Sequence, residues 1–283
     1  MKIIENKKFP YERDLYGADG VKLIDCVFDG EEDGESALKE AKNIVLENCF
    51  MNLRYPLWHD LSAQLSRVTM TENCRAALWY SEKIDIKDSD LLGIKAVREC
   101  DGVSIEGSRI VSPEFGWKSK NINIKNTKIE SEYLFLLASN LRLNEVNFKG
   151  KYSFQYVEDA LIENSTLDTK DAFWHAKNIT VKNCTVKGEY LGWYSENLTF
   201  INCKIIGTQP LCYCKGLKLI NCTTEGCDFS FEYSEVQAEI KGDILSVKNP
   251  KSGKIVADGI GEIILTDDSK VECNCEILNK GAA

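Results

Sequence analysis

Two residues, His59 and His175, carry the imidazole side chain that is best suited to proton transfer near neutral pH, and each directly follows a tryptophan. Tyr156 and Tyr194 lie one period of 19 residues before and after His175. His175 is therefore a candidate general acid or base with a tyrosine on either side. The alternative is a surface imidazole within an aromatic row. The sequence leaves open whether the protein is an enzyme.

A second group of polar residues lies in the segment Leu53–Asp60, which contains Arg54, His59 and Asp60. The spacing predicts an insertion at residues 61–65, and insertions on one face of a repeat protein often build binding sites. These three residues are candidates for a ligand pocket. They could equally hold the loop in place.

Aromatic residues recur at multiples of the same period. Sugar rings stack on aromatic faces, and an exposed apolar patch usually marks a ligand or partner. This predicts a binding stripe formed by Tyr156, His175, Tyr194, Tyr213 and Phe173. The columns contain a Trp series at Trp79, Trp117, Trp174 and Trp193, a following series at Tyr80, Tyr156, His175, Tyr194, Tyr213 and Glu232, and a preceding series at Phe135, Phe154 and Phe173.

Strand alternation predicts which series faces outward. Small residues such as Ser81, Ser119 and Ser195 follow the Trp position by two residues and suit a crowded interior. The Trp series should then point inward, and the Tyr and His series outward, flanked by the Phe series. Arg98 and Gln155 occupy the Trp position in other coils and leave this parity open. The stripe could bind a ligand, contact a second copy, or be covered by the C-terminal segment.

These residues are positioned by an internal repeat. Three segments end in Asn-Cys at Cys184, Cys203 and Cys222, which sets the period at 19 residues. Small or β-branched residues continue the column back to Ser89, and with looser spacing to Cys74, Cys49 and Cys26. This predicts about eleven coils.

Other columns of the repeat predict its conformation. Apolar pairs two residues apart, such as Ile84 with Ile86, indicate strands with one buried face. Gly and Asn recur at turn positions, where they tolerate positive φ. Three turn columns per coil leave three short strands, so we predict an all-β parallel solenoid with stacked Asn ladders.

This repeat resembles the right-handed parallel β-helix of the pectin-lyase-like superfamily, whose coils commonly read N-[IV]-x-[IV]-x-N-C. Segments 49–60 and 248–253 resemble a bacterial family of small β-helix proteins of unknown function. Similar β-helix proteins often bind polysaccharides along one side. Hydrolases of this fold use clustered Asp residues with H-G and R-x-K signatures, and lyases use Asp-bound calcium. Neither pattern occurs here, since the one Asp-Asp pair, Asp267-Asp268, lies in the tail.

We expect three segments: an N-terminal cap over 1–20, the β-helix over 21–236 and a C-terminal β cap over 237–283. Residues 31–42 could form a helical turn or a coil variant. The sequence Lys248–Gly253 predicts a turn between two strands of the C-terminal segment.

Twelve cysteines suggest three alternatives: buried free thiols, disulfides or a metal site. No C-x₂-C pair is present, and most cysteines occupy small-residue columns, which favours a reduced interior ladder. Cys227 fits no column. We expect no metal and no other cofactor.

The composition excludes several classes. The net charge is −9, from 44 acidic and 35 basic residues, which argues against nucleic acid and anionic membranes as partners. The charged start lacks the apolar stretch of a signal peptide, so we expect a cytoplasmic protein. The leading hypothesis is a protein that binds an extended ligand, a carbohydrate, along the aromatic stripe. The alternatives are a carbohydrate-active lyase or hydrolase with an unrecognised site, and a structural or homo-oligomeric protein.

Overall fold

The computed structural model describes residues 1–30 and 35–282, in two compact units, Met1–Asn147 and Phe148–Ala283. In each unit the chain winds as a parallel β-solenoid with a period of about 19 residues, and the coils number about 14 in all. The predicted fold class is confirmed. The predicted count of about eleven coils is too low.

The first unit contains mainly short strands, three to a coil over residues 42–98. In chain order they are β1 Lys2–Glu5, β2 Val21–Ile24, β3 Val27–Phe28, β4 Lys42–Glu47, β5 Phe50–Met51, β6 Leu57–Trp58, β7 Leu61–Ser66, β8 Thr69–Met70, β9 Leu78–Trp79, β10 Glu82–Lys87, β11 Asp90–Leu91, β12 Val97–Arg98, β13 Asp101–Glu106, β14 Arg109–Val111, β15 Lys120–Ser131 and β16 Ser139–Gly150, which contains the boundary between units.

The second unit continues the pattern and ends with longer strands. These are β17 Glu158–Glu163, β18 Thr166–Asp168, β19 Lys177–Lys182, β20 Thr185–Lys187, β21 Glu196–Ile201, β22 Lys204–Ile206, β23 Leu217–Glu225, β24 Glu235–Lys248, β25 Ser252–Ile264 and β26 Asn274–Asn279. Two 3-10 helices, Glu72–Cys74 and Lys280–Ala282, complete the described elements. In the described part of the chain, no helix has the length and apolar character needed to cross a membrane.

Apolar residues at every second position form the core of each unit. Ile84 of β10 pairs with Val103 of β13, which pairs with Ile122 of β15, and all three are buried. Equivalent residues therefore stack coil upon coil. Full burial of one such side chain contributes about 2 kcal/mol.

The spacing departs from 19 residues near the predicted insertion, but the extra coils lie at the two ends of the chain, where β1 and β24 to β26 add parallel pairings. The residues expected as an insertion, 61–65, form strand β7, which pairs with β4 on one side and β10 on the other. That expectation is wrong. Backbone hydrogen bonds place Val68 between Cys49 and Ser89 in the small-residue column, so the assignment of Cys74 to that column is wrong too.

Parallel pairing continues beyond both predicted segment boundaries. Strand β1 pairs in register with β2, and β24, β25 and β26 pair with one another in order. The turn predicted at 248–253 is confirmed, because it joins β24 to β25. The division at 20/21 and 236/237 stays a prediction. Residues 31–34 lie outside the described residues, and residues 37–40 of the same segment form a turn without α-helix.

Stacked Asn side chains line the corners, as the repeat predicts. In the second unit the amide of Asn183 donates to Asn164 Oδ1 at 3.2 Å, Asn202 to Asn183 at 3.2 Å, and Asn221 to Asn202 at 2.6 Å. All four have φ between 52° and 56°, the left-handed region that Asn tolerates. The Asn side chains of each ladder therefore satisfy one another's hydrogen bonds at a corner, where the backbone leaves the strands.

The small-residue columns have a function that size alone did not predict. Ser89 Oγ accepts the backbone N–H of Val68 at 3.0 Å, and Ser108 Oγ accepts that of Ser89 at 3.1 Å. Cys184 Sγ accepts the N–H of Ser165 at 3.3 Å. The side chain of one coil therefore satisfies a corner N–H of the coil before it.

The cysteines are free thiols, and ten of the twelve are buried. The expected reduced interior ladder is confirmed at Cys184, Cys203 and Cys222. Cys227 also lies in the interior, where its thiol donates to the carbonyl of Ile205 at 3.4 Å. The Cys74 thiol donates to the carbonyl of Met51 at 3.1 Å, at another corner.

Candidate functional site

The aromatic columns lie at one corner of the solenoid, where simple strand alternation fails. Phe173 and His175 both have positive φ, 62° and 55°, with Trp174 between them. Two left-handed residues in three turn the chain sharply, so neighbouring side chains do not point to strictly opposite sides. As a result Phe173 is fully buried, Trp174 is half-buried and His175 is exposed.

The prediction that the Tyr and His series faces outward is confirmed. The predicted place of Phe173 on the exposed stripe is wrong, because its ring stacks on Phe154 in the core with centroids 5.0 Å apart. The Trp series is neither core nor surface: its members are half-buried behind the outer rings.

In the second unit, four rings form a continuous stack that we call the aromatic row. The ring centroids of Tyr156 and His175 are 4.9 Å apart, those of His175 and Tyr194 5.1 Å, and those of Tyr194 and Tyr213 4.7 Å. The planes of successive rings differ by only 8° to 11°. Tyr156 is 47% exposed and Tyr194 is 45% exposed. Since the faces cover one another, the row presents its ring edges to solvent.

Tryptophans behind the row hold it in place. Trp174 and Trp193 stack with centroids 5.5 Å apart and planes 5° apart. Trp174 Nε1 donates to the carbonyl of Tyr190 at 2.6 Å, and Trp193 Nε1 donates to that of Gln209 at 2.8 Å. Each indole thus reaches the next coil. A ring edge of Trp193 also meets Tyr213 at 5.3 Å.

The structure adds Tyr233, which the sequence argument missed. Tyr213 N donates to Glu232 O, and Cys214 N donates to Ser234 Oγ at 2.9 Å, so this coil contains 20 residues. Glu232 therefore occupies the Trp position, and Tyr233 the position of Tyr213. The assignment of Glu232 to the outer series is wrong. The signal was Ser234, because a serine also follows the outer residues Tyr80 and Tyr194.

Alternating charges flank the aromatic row two residues further along the chain. Lys177 Nζ lies 3.9 Å from Glu158, and Lys215 Nζ lies 3.9 Å from Glu196. All four groups are exposed, so these pairs contribute little stability. Their charges cancel and leave the border of the row close to neutral.

In the first unit the corresponding position of the repeat carries a different cluster. His59 stacks on Tyr80 with centroids 5.0 Å apart, and Trp58 stacks on Trp79 at 5.5 Å. Trp58 belongs to the Trp series, which the sequence argument missed because this coil has 21 residues. Cations extend the inner stack: Lys39 lies 4.2 Å from the Trp58 centroid, and Arg98 lies 5.7 Å from Trp79 and 5.6 Å from Trp117.

The pocket candidates Arg54, His59 and Asp60 do not converge. The Arg54 guanidinium lies 3.5 Å from Glu35, while His59 belongs to the outer aromatic cluster. Asp60 is 1% exposed, and its Oδ1 accepts the backbone N–H of Ala41 at 3.1 Å, the task that serine performs in neighbouring coils. Burial raises the pKa of Asp60 to about 9. The prediction that Asp60 lines a ligand pocket is therefore wrong.

No group of three or more His, Cys, Asp or Glu side chains converges as a metal site within residues 1–30 and 35–282. Buried thiols such as Cys100 and Cys214 have pKa values raised by burial, to about 12 and about 11. They are neutral at physiological pH.

Several solved structures are similar to this chain at low identity. A mutant of the periplasmic alginate epimerase AlgG is 9% identical, with a TM-score of 0.27, over 92% of this chain and 73% of that one. PfbA, a surface adhesin of Streptococcus pneumoniae, is 11% identical, with a TM-score of 0.26, over 78% and 63%. The plasmid-mediated fluoroquinolone resistance protein QnrB1 is 12% identical, with a TM-score of 0.24, over 74% and 94%. Likenesses of this size carry no argument about ligand or activity.

No curated protein matches the chain. One family model matches nearly its whole length, residues 2–278. The chain belongs to the family described as "Protein of unknown function (DUF3737)".

Proposed function

We propose that the second unit binds an extended, neutral, hydroxyl-rich chain, a glycan, along the aromatic row. The observation that carries this proposal is the stack of Tyr156, His175, Tyr194 and Tyr213, with centroids 4.7 to 5.1 Å apart and edges toward solvent. Soluble proteins rarely expose aromatic rings side by side without a ligand or partner.

Ring orientation determines the kind of contact. Because the ring faces are covered by their neighbours, a sugar ring cannot stack on them as the sequence argument expected. Each coil instead offers one polar edge group, a phenol hydroxyl that donates and accepts or an imidazole nitrogen. Sugar hydroxyls both donate and accept as well, so the contacts are hydrogen bonds between edge groups and hydroxyls.

The spacing selects the shape of the ligand. Successive edge groups follow the coil repeat, close to the strand separation of about 4.8 Å. An extended β-linked glycan advances by a similar length per sugar, so one sugar can contact each coil. An extended peptide advances by only about 3.3 Å per residue and falls out of register within two coils.

The charged residues that flank the row favour a neutral ligand. The Glu158–Lys177 and Glu196–Lys215 pairs place opposite charges alternately beside the rings. A polyanion would meet a glutamate at every second coil, and a polycation a lysine. Neutral hydroxyls can bond to both.

The test uses two substitutions at Tyr194 and one control. Tyr194→Phe keeps the ring stack and removes the edge hydroxyl, while Tyr194→Ala removes both. Tyr11→Ala removes an exposed tyrosine outside the row. The native protein should bind members of an array of neutral β-linked oligosaccharides, and calorimetry should show both Tyr194 variants about tenfold weaker. Tyr11→Ala should bind like the native protein.

Two results would contradict the proposal. Absence of binding to every oligosaccharide would remove the glycan ligand. Unchanged affinity of Tyr194→Phe would show that the edge hydroxyl makes no contact. Light scattering on the same samples tests the homo-oligomer alternative, in which Tyr194→Ala lowers the measured mass.

Other predictions stand beside this one. A catalytic role of His175, the use of His59 by a ligand and the cytoplasmic location stay predictions. In the row, both faces of the His175 ring are covered by Tyr156 and Tyr194, so only its edge is available to a substrate. The proposed binding does not require turnover.

A further inference from the structure

The aromatic row has a closed end at Tyr233. The ring of Tyr233 meets Tyr213 at 62°, with centroids 5.8 Å apart, so the parallel stack stops here. Lys270 N donates to Tyr233 Oη at 3.3 Å, which places the C-terminal segment against this ring. In the next coil the corner consists of Asn249 and Pro250, both buried. No exposed ring continues the row past Tyr233 in the described coils.

A charged pair lies at this closed end. Glu232 Oε1 is 3.0 Å from Lys248 Nζ, with side chains 18% and 30% exposed. Lys248 Nζ also lies 5.7 Å from the ring centroid of Phe229, a residue at the surface. Glu232 follows Cys212 in the column where Trp174 and Trp193 stand in earlier coils. A carboxylate therefore takes this position at the coil where the row ends.

The pair has hydrogen-bonding capacity beyond its own contact. A carboxylate accepts several hydrogen bonds and an ammonium donates three, so one shared contact leaves acceptors and donors on both groups. Adjacent hydroxyls of one sugar ring match such a pair, since one can donate to the carboxylate while its neighbour accepts from the ammonium. Hydrogen bonds to charged groups are the stronger kind.

We propose that Glu232 and Lys248, with the rings of Tyr213 and Tyr233, form a subsite for the terminal sugar of a glycan whose body lies along the aromatic row. This inference rests on the proposed function. It adds that the protein recognises a chain end. A chain that extends past its last bound sugar would collide with the segment held against Tyr233.

The first experiment needs only the native protein. A neutral β-linked hexasaccharide that binds it is presented in two forms, immobilised through its reducing end or through its non-reducing end. Recognition of a chain end predicts binding to one form and a loss of at least tenfold for the other. Equal binding to both forms would overturn the subsite, while leaving the proposed function intact. Absence of binding to every free oligosaccharide of the array would contradict the proposed function itself.

The second experiment uses Glu232→Gln and Lys248→Met, with Lys204→Met as a control from the exposed Lys204–Glu225 ion pair, which lies outside the row. We expect the first two variants to bind the hexasaccharide and a trisaccharide of the same series about tenfold more weakly. Lys204→Met should bind like the native protein. Circular dichroism checks that each variant is folded. Affinities within twofold of native for both folded variants would overturn the subsite.

Discussion

The carboxyl group of Asp60, inside the first unit, should make stability depend on pH. Its column is filled in other coils by small neutral residues such as Ser81 and Ser119, and Asp60 Oδ1 accepts the N–H of Ala41 as a serine would. Its second oxygen, Oδ2, is buried without a hydrogen-bond partner among the described residues. Burial raises the pKa of this group to about 9, so it is protonated in the folded protein at neutral pH.

The direction and size of this pH dependence follow from the difference in proton binding between the folded and the unfolded chain. In the unfolded chain the Asp60 carboxyl has an ordinary pKa of about 3.9, so unfolding releases a proton at any pH between about 4 and 9. The free energy of unfolding therefore falls as pH rises through this window, by about 1.4 kcal/mol per unit. At pH 7 the loss relative to pH 4 is about 4 kcal/mol. Above about pH 9 this contribution is constant.

Asp60→Ser and Asp60→Asn remove the titrating group, and both keep an oxygen that can accept the Ala41 N–H. Equilibrium urea unfolding, followed by the fluorescence of the five tryptophans, gives the free energy of each protein from pH 5 to pH 8. Both variants should gain stability over the native protein by about 4 kcal/mol more at pH 8 than at pH 5. A difference that stays constant within about 1 kcal/mol across this range would show that Asp60 is ionised when folded, and would refute the reasoning.

Three further predictions concern the repeat and its corners. Asn202→Ala removes an amide that donates to Asn183 and accepts from Asn221, and it should lower the free energy of unfolding by about 2 kcal/mol. Asn202→Gly also removes both hydrogen bonds but adopts positive φ without strain, so the difference between the two variants measures the backbone strain. Gly207→Ala should lower the free energy of unfolding by more than about 3 kcal/mol, because a Cβ at this residue, whose φ is +126°, would lie 2.1 Å from the Gly188 carbonyl oxygen. Gly226→Ala should cost only about 1 kcal/mol, because a Cβ there would meet open space. Equal melting temperatures of the two variants would refute this. Arg98→Ala should cost about 2 kcal/mol through loss of both cation–π contacts, and Arg98→Leu, which keeps apolar packing but also lacks the charge, should cost nearly as much. Native-like stability of Arg98→Leu in urea unfolding would contradict this.

Much of the architecture could be predicted because each coil stacks mainly on its neighbours. A position that must be apolar, small or able to adopt positive φ in one coil has the same requirement in the next. Cys184, Cys203 and Cys222, with the Asn that precedes each, therefore reveal the period. The prediction failed where coil length changes, at Leu61–Ser66 and again at Tyr233, because a fixed period assigns the wrong residue to each column after such a change.

The candidate site divides in the same way. Spacing alone predicts that Tyr156, His175, Tyr194 and Tyr213 share one column of a parallel solenoid. The burial of Phe173, the inward direction of Asp60 and the exposed ring edges depend on how the coils fold and pack. In the coils of the row, two residues with positive φ, such as Phe173 and His175, set the direction of the side chains at this corner, and contact between successive coils turns each ring face against its neighbour. Neither effect can be predicted from the residue types of a single coil.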